Sequence, residues 1–191
     1  QTNNGEGIAG ITWYNNIMPI KVMGADGSGT SFDIAKGIMW AADHGANVIN
    51  LSLGNYQPSD VLKEAIEHAF NEDIVIIAAV GNENTDQPSF PAAYAEVLGI
   101  SAVGKDKNRA EFSNYGDYVD VAAPGVEIAS TYPNQQYAEL SGTSMAAPHV
   151  TGLVGLMRSL YPELANEEIM TIIKSTAVDL GEPGSDVLYG S

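Results

Sequence analysis

A serine at the start of a helix is the first residue in this sequence that could do covalent chemistry. Ser144 lies in the segment Ser141-Gly142-Thr143-Ser144-Met145-Ala146-Ala147-Pro148, which leads into an apolar stretch with helical periodicity. A helix N-terminus presents free backbone N–H groups and the positive end of the helix dipole. Ser144 would therefore be a nucleophile with part of an anion-binding site beside it. The alternative is that Thr143 or Ser144 is an ordinary N-cap.

An asparagine at the end of an apolar run is the second such residue. Asn82 directly follows Ala79-Val80-Gly81. In open α/β sheets ligands collect at the carboxyl ends of the strands, where the amide of Asn82 could donate to a developing negative charge. Asparagine after glycine is also typical of a left-handed turn. The residue types alone leave both interpretations open.

Apolar runs alternate with segments of helical periodicity along the first half of the chain. We predict one helix from an N-cap at Ser31 to Gly45 and another that begins at an N-cap at Ser59. The runs are apolar on both faces and parallel pairs need long crossovers, which favours the α/β class, with a mostly parallel central sheet and helices on both faces. Strands are predicted at residues 17–23, 48–53, 74–80, 97–103, 118–122 and 128–132, and further helices from the Ser144 segment to Leu160 and over 166–176.

The Ser144 and Asn82 segments both resemble those of one known family. Gly142-Thr143-Ser144-Met145-Ala146-Ala147-Pro148-His149 resembles the nucleophile signature of the subtilisin-like serine proteases, and Ala79-Val80-Gly81-Asn82-Glu83 is similar to their oxyanion-asparagine segment. Residues 21–29, 48–54, 112–116 and 123–126 also resemble subtilisin segments, in the family order. The resemblance implies a subtilisin-like three-layer fold, with residues 1–191 forming part of a single catalytic domain of a secreted serine endopeptidase.

The resemblance also assigns roles to individual residues. Ser144 would attack the scissile peptide carbonyl, while Asn82 and the Ser144 backbone N–H would hold the tetrahedral oxyanion. Protein or peptide substrates would bind as an added strand, with large apolar or aromatic side chains in a pocket whose walls are small and apolar. Those walls contain no buried acid of the kind that would favour basic side chains. The substrate-binding residues would be Gly24-Ala25-Asp26-Gly27-Ser28-Gly29, Ser52-Leu53-Gly54 and Ala79-Val80-Gly81.

Structural Ca²⁺ is the cofactor that the resemblance implies. The main site would lie in the polar opening loop, where Asn4 would supply a side-chain oxygen, the kind of ligand that suits Ca²⁺. A flexible polar loop is the other interpretation of this segment. The remaining ligands would be the backbone carbonyls of Thr2, Glu6 and Ile8, and a weaker second cation site would use those of Ala92, Tyr94 and Val97.

The acid and base that a catalytic serine needs are missing from the pattern. The family triad runs in the chain order Asp, His, Ser, and no Asp-Ser-Gly or His-Gly-Thr-His segment precedes Ser144. His149 is five residues after Ser144, about 140° away around a helix, so we expect it to pack or to make a local hydrogen bond. His44 and His68 would lie near helix C-termini, away from Ser144.

Without the Asp and the His, this chain alone is expected to be inactive or nearly so. The resemblance implies that an upstream segment of the same enzyme supplies both residues, and that a propeptide or protein inhibitor is a further possible partner. The segment Leu188-Tyr189-Gly190-Ser191 also stops where the family continues into another turn and helix. We therefore expect a domain that is incomplete at both ends.

Two other functions stay open at this point. A catalytically inactive fragment would bind peptides or a propeptide without forming an acyl-enzyme. A doubly wound nucleotide-binding domain is suggested by the glycines at positions 24, 27 and 29. Their G-x-x-G-x-G order differs from the dinucleotide-binding G-x-G-x-x-G pattern, and no P-loop lysine follows, so this signal is weak.

Composition excludes several further classes. The 191 residues include 24 acidic and 8 basic side chains, and the net charge of −16 would repel nucleic acid. The absence of cysteine excludes thiol nucleophiles, disulfides and cysteine-bound zinc. The apolar runs are shorter than the roughly 20 residues that span a membrane. Composition leaves the compartment open, and only the resemblance implies secretion.

Overall fold

A computed structural model describes residues 4–191 and contains helices and strands that follow the periodicity of the sequence. Helices form where apolar residues recur at helical spacing, and β-branched residues dominate the strand Val75–Ala79. No helix of the described residues is long and apolar enough to cross a membrane. The elements in chain order are α1 (Ser31–Asp43), β1 (Val48–Leu51), α2 (Asp60–Asn71), β2 (Val75–Ala79), β3 (Val97–Val103), β4 (Val121–Pro124), β5 (Ile128–Tyr132), β6 (Gln136–Leu140), α3 (Thr143–Leu160) and α4 (Asn166–Thr176).

The strands β1 to β4 form one parallel sheet in the order β1-β2-β3-β4. Val48 of β1 pairs with Val75 of β2, and Ile100 of β3 pairs with Val121 of β4. The strands β5 and β6 pair with each other in a separate antiparallel hairpin. The prediction of an α/β fold with a mostly parallel central sheet is confirmed.

Helices cover both faces of this sheet, and β2 shows why the sequence specifies that arrangement. Ile76 and Ala78 belong to the core cluster on the side of α1 and α2. Val75 and Ile77 belong to the cluster on the side of α3 and α4. All five residues of β2 are buried, as expected for a strand with a helix layer on each face. The result is a three-layer fold that brings the ends of β1 and β2 next to the start of α3.

The N-cap of α1 is Thr30 and not Ser31, so that detail of the prediction is wrong. Thr30 Oγ1 accepts a hydrogen bond from the Asp33 N–H at 3.1 Å and donates to Asp33 Oδ2 at 2.7 Å. This reciprocal pair satisfies a free N–H and places an acid at the positive end of the helix. Ser59 is the N-cap of α2 as predicted, although its side chain makes no capping hydrogen bond.

Two of the predicted strands need correction. Residues 17–23 form no strand, and Ile17 is 83% exposed. An apolar run becomes a strand only where a neighbour takes its backbone hydrogen bonds, and no strand of residues 4–191 pairs with this segment. The strand predicted at 118–122 begins only at Val121, because the Val119 N–H turns back to the Gly116 carbonyl at 3.0 Å.

The other boundaries differ less from the predictions. The strands β3 and β5 and the helix α4 begin and end where the sequence predicted. The strands β1 and β2 are shorter, because β1 ends at Leu51 and β2 runs from Val75 to Ala79. The strand β6 was not predicted. It pairs with β5 and is largely exposed, so its sequence contains no apolar run from which a strand could be predicted.

The outer edge of β1 borders a groove of about 1160 Å³. Because β1 is at the end of the sheet, its outer backbone groups face no strand within the described residues. Residues 17–23 form the opposite wall, and side chains of α1 and α3 complete the lining, among them Ile38 and Arg158. The segment predicted as a strand and the edge of β1 are therefore two sides of one open groove.

Candidate active site

Ser144 is half-buried as the second residue of α3, beside the end of β1. Its Oγ donates a long hydrogen bond of 3.4 Å to the Ser52 carbonyl, while Ser52 Oγ donates to the Ser144 carbonyl at 2.9 Å. That carbonyl is available because Pro148, four residues later in α3, has no N–H to donate to it. The N-cap of α3 is Gly142, so neither Thr143 nor Ser144 is the N-cap. A hydroxyl and an unused helix N–H thus lie together at Ser144.

Asn82 lies on the loop after β2, and Thr143 holds its amide oxygen. The Thr143 N–H and Oγ1 donate to Asn82 Oδ1 at 2.8 Å and 3.1 Å. Thr143 is fully buried, and its Oγ1 also accepts from the Gly81 N–H at 3.2 Å. Because Oδ1 is engaged, the NH₂ group of Asn82 is the part of the amide that can donate to a bound ligand. That orientation suits a donor to an oxyanion.

A pocket of about 340 Å³ opens between the Ser144 and Asn82 segments, and both residues line it. A Cβ at position 54 would lie 2.7 Å from Ser89 Oγ, so a larger residue in this wall would require Ser89 to shift. Ser52 and Val80, which were predicted to bind substrate, do not line the pocket. The lining includes Leu53, Gly54, Ala79 and Gly81 from the predicted set, and Asn55, Tyr56, Glu83, Ser89 and Thr143, which were not predicted.

The predicted substrate-binding segment Gly24-Ala25-Asp26-Gly27-Ser28-Gly29 does not line this pocket. It is an exposed turn in which the Gly24 N–H donates to the Ser28 carbonyl at 2.7 Å. Asp26 accepts from the Ser28 hydroxyl at 2.8 Å and from the Ser28 N–H at 3.1 Å. These bonds hold the pKa of Asp26 below its ordinary value of 3.8. The segment's role in binding stays a prediction.

A carboxylate at the pocket was not expected from the sequence. Glu83 Oε2 accepts from Tyr56 Oη and from the Asn82 N–H, the latter at 2.8 Å. Burial and the hydrogen bond to Glu83 raise the pKa of Tyr56 above its ordinary value of 10.0. Asn114 Nδ2 donates to Tyr56 Oη at 3.0 Å. Sequence reasoning missed these partners because they come from segments far apart in the chain, although Glu83 itself stands beside Asn82.

None of the histidines serves Ser144 as a base within the described residues. His149 Nδ1 is 2.9 Å from the Met145 carbonyl, so the predicted local hydrogen bond is confirmed. His44 stacks on Trp40 with ring centroids 4.0 Å apart. His68 Nε2 lies 3.4 Å from Asp43 Oδ1. The hydroxyl of Ser144 has its hydrogen bond to Ser52 instead.

The residues predicted to bind Ca²⁺ supply oxygen donors of a suitable kind. Asn4, Glu6 and Ile8 are exposed, and Asn4 Oδ1 accepts from the Glu6 N–H at 3.2 Å. Thr2 lies outside the described residues. Ca²⁺ takes six to eight oxygen ligands, so these donors would need others beside them. Residues 4–191 contain no group of three or more acidic or histidine side chains arranged for a metal ion.

The residues predicted for the second cation site are buried before and at the start of β3. Ala92 and Val97 are each 2% exposed, and Tyr94 Oη donates to the Ser59 carbonyl at 3.0 Å. The Tyr94 carbonyl accepts from the Val97 N–H at 3.1 Å. One of the expected ligand oxygens therefore already has a partner, and the site stays a prediction.

A family model described as the subtilase family matches residues 1–191. The chain therefore belongs to the subtilase family of subtilisin-like serine proteases, as the Ser144 and Asn82 segments indicated. This match leaves the nucleotide-binding hypothesis without support.

Individual relatives agree with the family match. Subtilisin BL and Subtilisin Savinase from Lederbergia lenta are each 42% identical over 189 residues, which is 99% of this chain and 69% of theirs. A solved structure of proteases from Pseudoalteromonas arctica superposes with a TM-score of 0.88 and 36% identity over 93% of this chain. The chain spans 60% of the length of that structure.

Proposed function

We propose that this protein is a serine endopeptidase that cleaves peptide bonds through an acyl-enzyme on Ser144. The observation that carries the proposal is that Ser144 and Asn82 line one small pocket, with the Asn82 amide oxygen already held by Thr143. The Asn82 NH₂ group and the Ser144 N–H would then donate to the oxyanion of a tetrahedral intermediate. The family of the chain agrees with this chemistry.

The reaction would proceed in two stages. Ser144 Oγ attacks the substrate carbonyl carbon, its proton passes to a base, and the carbonyl oxygen becomes the oxyanion that Asn82 and the Ser144 N–H bind. The intermediate then collapses, the C–N bond breaks, and the amine leaves with a proton while the acyl group stays on Ser144. Water hydrolyses this ester and regenerates the hydroxyl.

The base and its orienting acid would come from a segment beyond the described residues. The three histidines support this, because each is engaged elsewhere. The groove beside β1 also supports it, because a further strand could take the unpaired edge there, next to Ser52 and hence close to Ser144. Without such a segment Ser144 is a weak nucleophile, and only residual catalysis from substrate binding and oxyanion stabilisation would remain.

Protein or peptide substrates would bind in extended form, with one side chain in the pocket. The walls at Gly54 and Ala79 are small, which leaves a volume of about 340 Å³ for a large apolar or aromatic side chain. The Glu83 carboxylate also lines the pocket, and its Oε2 accepts hydrogen bonds from Tyr56 Oη and from the Asn82 N–H. Residues 24–29 would pair with the substrate backbone.

We place the enzyme outside the cell and assign it structural Ca²⁺. Asn4 and the carbonyls of Glu6 and Ile8 would hold the ion together with ligands beyond them. The ion would rigidify that loop and take no part in the chemistry at Ser144. In melts of the full-length protein, 1 mM CaCl₂ should raise the Tm relative to EDTA, and Asn4→Ala should reduce that gain while Asn108→Ala, in another exposed turn, should not.

The proposal is tested on the full-length gene product with a fluorophosphonate probe and a chromogenic peptide anilide. Labelling should fall on Ser144 and disappear in Ser144→Ala. Asn82→Ala should lower kcat by about 100- to 1,000-fold, the loss known for an oxyanion asparagine of a subtilisin and taken over here. Labelling of another residue, or turnover that survives Ser144→Ala, would overturn the assignment.

One alternative has an observation in its favour. Since no histidine of residues 4–191 reaches Ser144, the chain could act as a catalytically inactive module that binds peptides or a propeptide. In that case a peptide with an aromatic side chain would bind with measurable affinity, but the full-length protein would neither turn over the anilide nor react with the probe at Ser144.

A further inference from the structure

Asn114 is a buried polar side chain whose hydrogen-bonding capacity is fully used. It lies on the loop between β3 and β4 and is 0% exposed. Its Oδ1 accepts from the Glu83 N–H at 2.9 Å and from the Thr85 N–H at 3.3 Å. Its Nδ2 donates to the Val80 carbonyl and to Tyr56 Oη, both at 3.0 Å. A primary amide offers two donors and two acceptor lone pairs, so none is left over.

Three of these four bonds end on the loop that carries Asn82, residues 80–85. The Asn114 backbone N–H adds another bond to this loop, to the Gly81 carbonyl at 3.0 Å. Buried backbone groups require partners, and here one side chain supplies those that a neighbouring strand would otherwise give. Gly81 has a φ of +110°, and a Cβ there would collide with Asn114 Nδ2. The loop and Asn114 are therefore in direct contact, with no room between them.

The fourth bond connects this loop to the other wall of the pocket. Tyr56, from the segment after β1, donates to Glu83 Oε2, and the same oxygen accepts from the Asn82 N–H at 2.8 Å. The backbone of Asn82 is thus tied to Tyr56 through Glu83, and both are tied to Asn114. A shift of about 1 Å in such a loop is enough to misplace a catalytic donor.

We propose that Asn114 is a positioning residue that fixes the place of the Asn82 amide, acting through residues 80–85 and the Tyr56–Glu83 hydrogen bond. The inference rests on the proposed function, because it assigns Asn114 to the oxyanion donor of that reaction. Asn114 touches neither substrate nor Ser144. Its replacement should therefore lower the rate of the chemical step and leave substrate binding nearly unchanged.

The test is a double-mutant cycle of Asn82→Ala and Asn114→Ala in the full-length protein, read as kcat and KM on a chromogenic peptide anilide. Asn114→Ala alone should lower kcat by about 10- to 100-fold and leave KM within about threefold of wild type. This loss is smaller than the one expected for Asn82→Ala, which removes the donor itself. In the Asn82→Ala background it should lower kcat less than about twofold, because the donor that it positions is already gone. An equal loss of kcat in both backgrounds would overturn the proposal.

A matched control separates positioning from loss of stability. Asn166 is also a buried asparagine, 5% exposed, and its Nδ2 donates to the Phe70 and Ile74 carbonyls at 2.8 Å and 3.3 Å, at the start of α4. Asn166→Ala should destabilise the protein and leave kcat within about twofold of wild type. A loss of kcat in this variant as large as in Asn114→Ala would show that instability alone explains the effect.

Milder variants keep the proposal testable if Asn114→Ala does not fold. Tyr56→Phe removes one hydroxyl and should lower kcat about 3- to 10-fold. In the Asn82→Ala background the same substitution should not lower kcat further. Tyr189→Phe is the control, because its hydroxyl accepts a hydrogen bond of 3.2 Å from the Arg109 N–H and does not line the pocket. This variant should leave kcat unchanged. Equal effects of the two phenylalanine variants would contradict the proposal.

A readout without turnover distinguishes failure of this inference from failure of the proposed function. If the wild-type protein does not cleave the anilide, the proposed function fails, and hydrogen exchange of residues 80–85 decides the question of Asn114. Faster exchange there in Asn114→Ala and Tyr56→Phe, but not in Asn166→Ala, would support positioning. Unchanged exchange would overturn it.

Discussion

Pro148 shows how one residue can be required for a contact four positions away. A proline inside a helix removes the N–H that would bind the carbonyl of the residue four positions earlier. In α3 that carbonyl belongs to Ser144, and it accepts a hydrogen bond of 2.9 Å from Ser52 Oγ instead. Pro148 therefore affects the connection between the end of β1 and the start of α3, although it does not line the pocket.

We expect loss of this hydrogen bond in Ser52→Ala to lower the free energy of unfolding by about 0.5–1.5 kcal/mol. The substitution also removes the acceptor of a 2.9 Å hydrogen bond from Asn50 Nδ2. In a Pro148→Ala background, the new N–H at position 148 can bind the Ser144 carbonyl, so the same substitution should have a smaller effect. Urea unfolding of the four proteins in this cycle measures the difference. Equal effects of Ser52→Ala in both backgrounds would contradict the role given to Pro148.

Tyr118 connects stability to alkaline pH. Burial is the main cause that raises its pKa from 10.0 to about 12, and the charges of Tyr56, Asp86 and Glu83 add to it. Because the folded pKa is above the unfolded one, the folded state binds this proton more tightly. The stability from Tyr118 is complete below pH 10 and is lost as the pH rises toward 12.

Tyr118→Phe should accordingly weaken the fall in stability between pH 9 and pH 11.5, since the phenylalanine has no proton to lose. Urea midpoints across that range measure it, and absorbance at 295 nm follows tyrosine ionisation in the folded protein. Tyr14→Phe, at a tyrosine that is 93% exposed, is the control and should leave the pH dependence as in wild type. If the stability of Tyr118→Phe falls with pH as steeply as that of wild type, Tyr118 is not the cause of the fall.

The two residues proposed to do the chemistry could be found in the sequence, whereas the residues that support them could not. Ser144 and Asn82 could be found because each stands in a short segment with a local signal, a small-residue helix start and a strand end. Thr143, Glu83 and Asn114 act through bonds that span 61, 27 and 31 residues of chain, as in Thr143 to Asn82, Tyr56 to Glu83 and Asn114 to Glu83. No local pattern encodes such pairs.

At the scale of elements, two glycines of α3 allow the segment at residues 11–15 to lie directly on the helix. A Cβ at Gly152 would lie 2.8 Å from Ile11 Cβ, and one at Gly155 would lie 2.6 Å from Asn15 Nδ2. A glycine inside a helix is less favourable than alanine by about 1 kcal/mol. The sequence accepts that loss because the close contact requires the space.

Gly152→Ala should therefore loosen residues 11–15, which limited proteolysis detects as faster cleavage near Ile11. In an Ile11→Gly background the Cβ that causes the clash is gone, and Gly152→Ala should then stabilise the protein by about 0.5–1 kcal/mol through helix propensity. Thermal melts of the four variants give the comparison. Stabilisation by Gly152→Ala already in the wild-type background would show that the contact with Ile11 is unimportant.

Element type could be predicted where both halves of a contact lie in the described chain. The apolar run of β2 meets helices on two faces and becomes a strand. The run at residues 17–23 is also mostly apolar, although it contains Pro19 and Lys21, but no described strand lies beside it, so it forms no strand and is partly exposed. The periodicity of a segment shows which of its residues could be buried, and the elements packed beside it determine whether they are.

At the scale of the whole molecule, charge is the dominant long-range term. With 24 acidic and 8 basic residues, the net charge of −16 makes the folded chain repel itself. The ion pairs among the described residues offset little of this, because in each pair at least one side chain is 37% exposed or more.

Screening should consequently stabilise the protein. We expect the Tm to rise by a few degrees between 10 mM and 500 mM NaCl, measured in EDTA so that bound Ca²⁺ does not contribute. Choline chloride at the same ionic strength should act equally if screening is the cause. A Tm that stays constant or falls with salt would contradict this account.

The edge of β1, which no strand of residues 4–191 covers, also affects how this chain behaves in concentrated solution. An unpaired strand edge is a template on which strands of other molecules can add, and such addition leads to aggregates. The charge of −16 keeps molecules apart at neutral pH, but it vanishes near the isoelectric point of about 4.2. Colloidal stability and the free sheet edge are therefore coupled, and mild acid should turn a clear solution of this chain turbid before it unfolds the sheet.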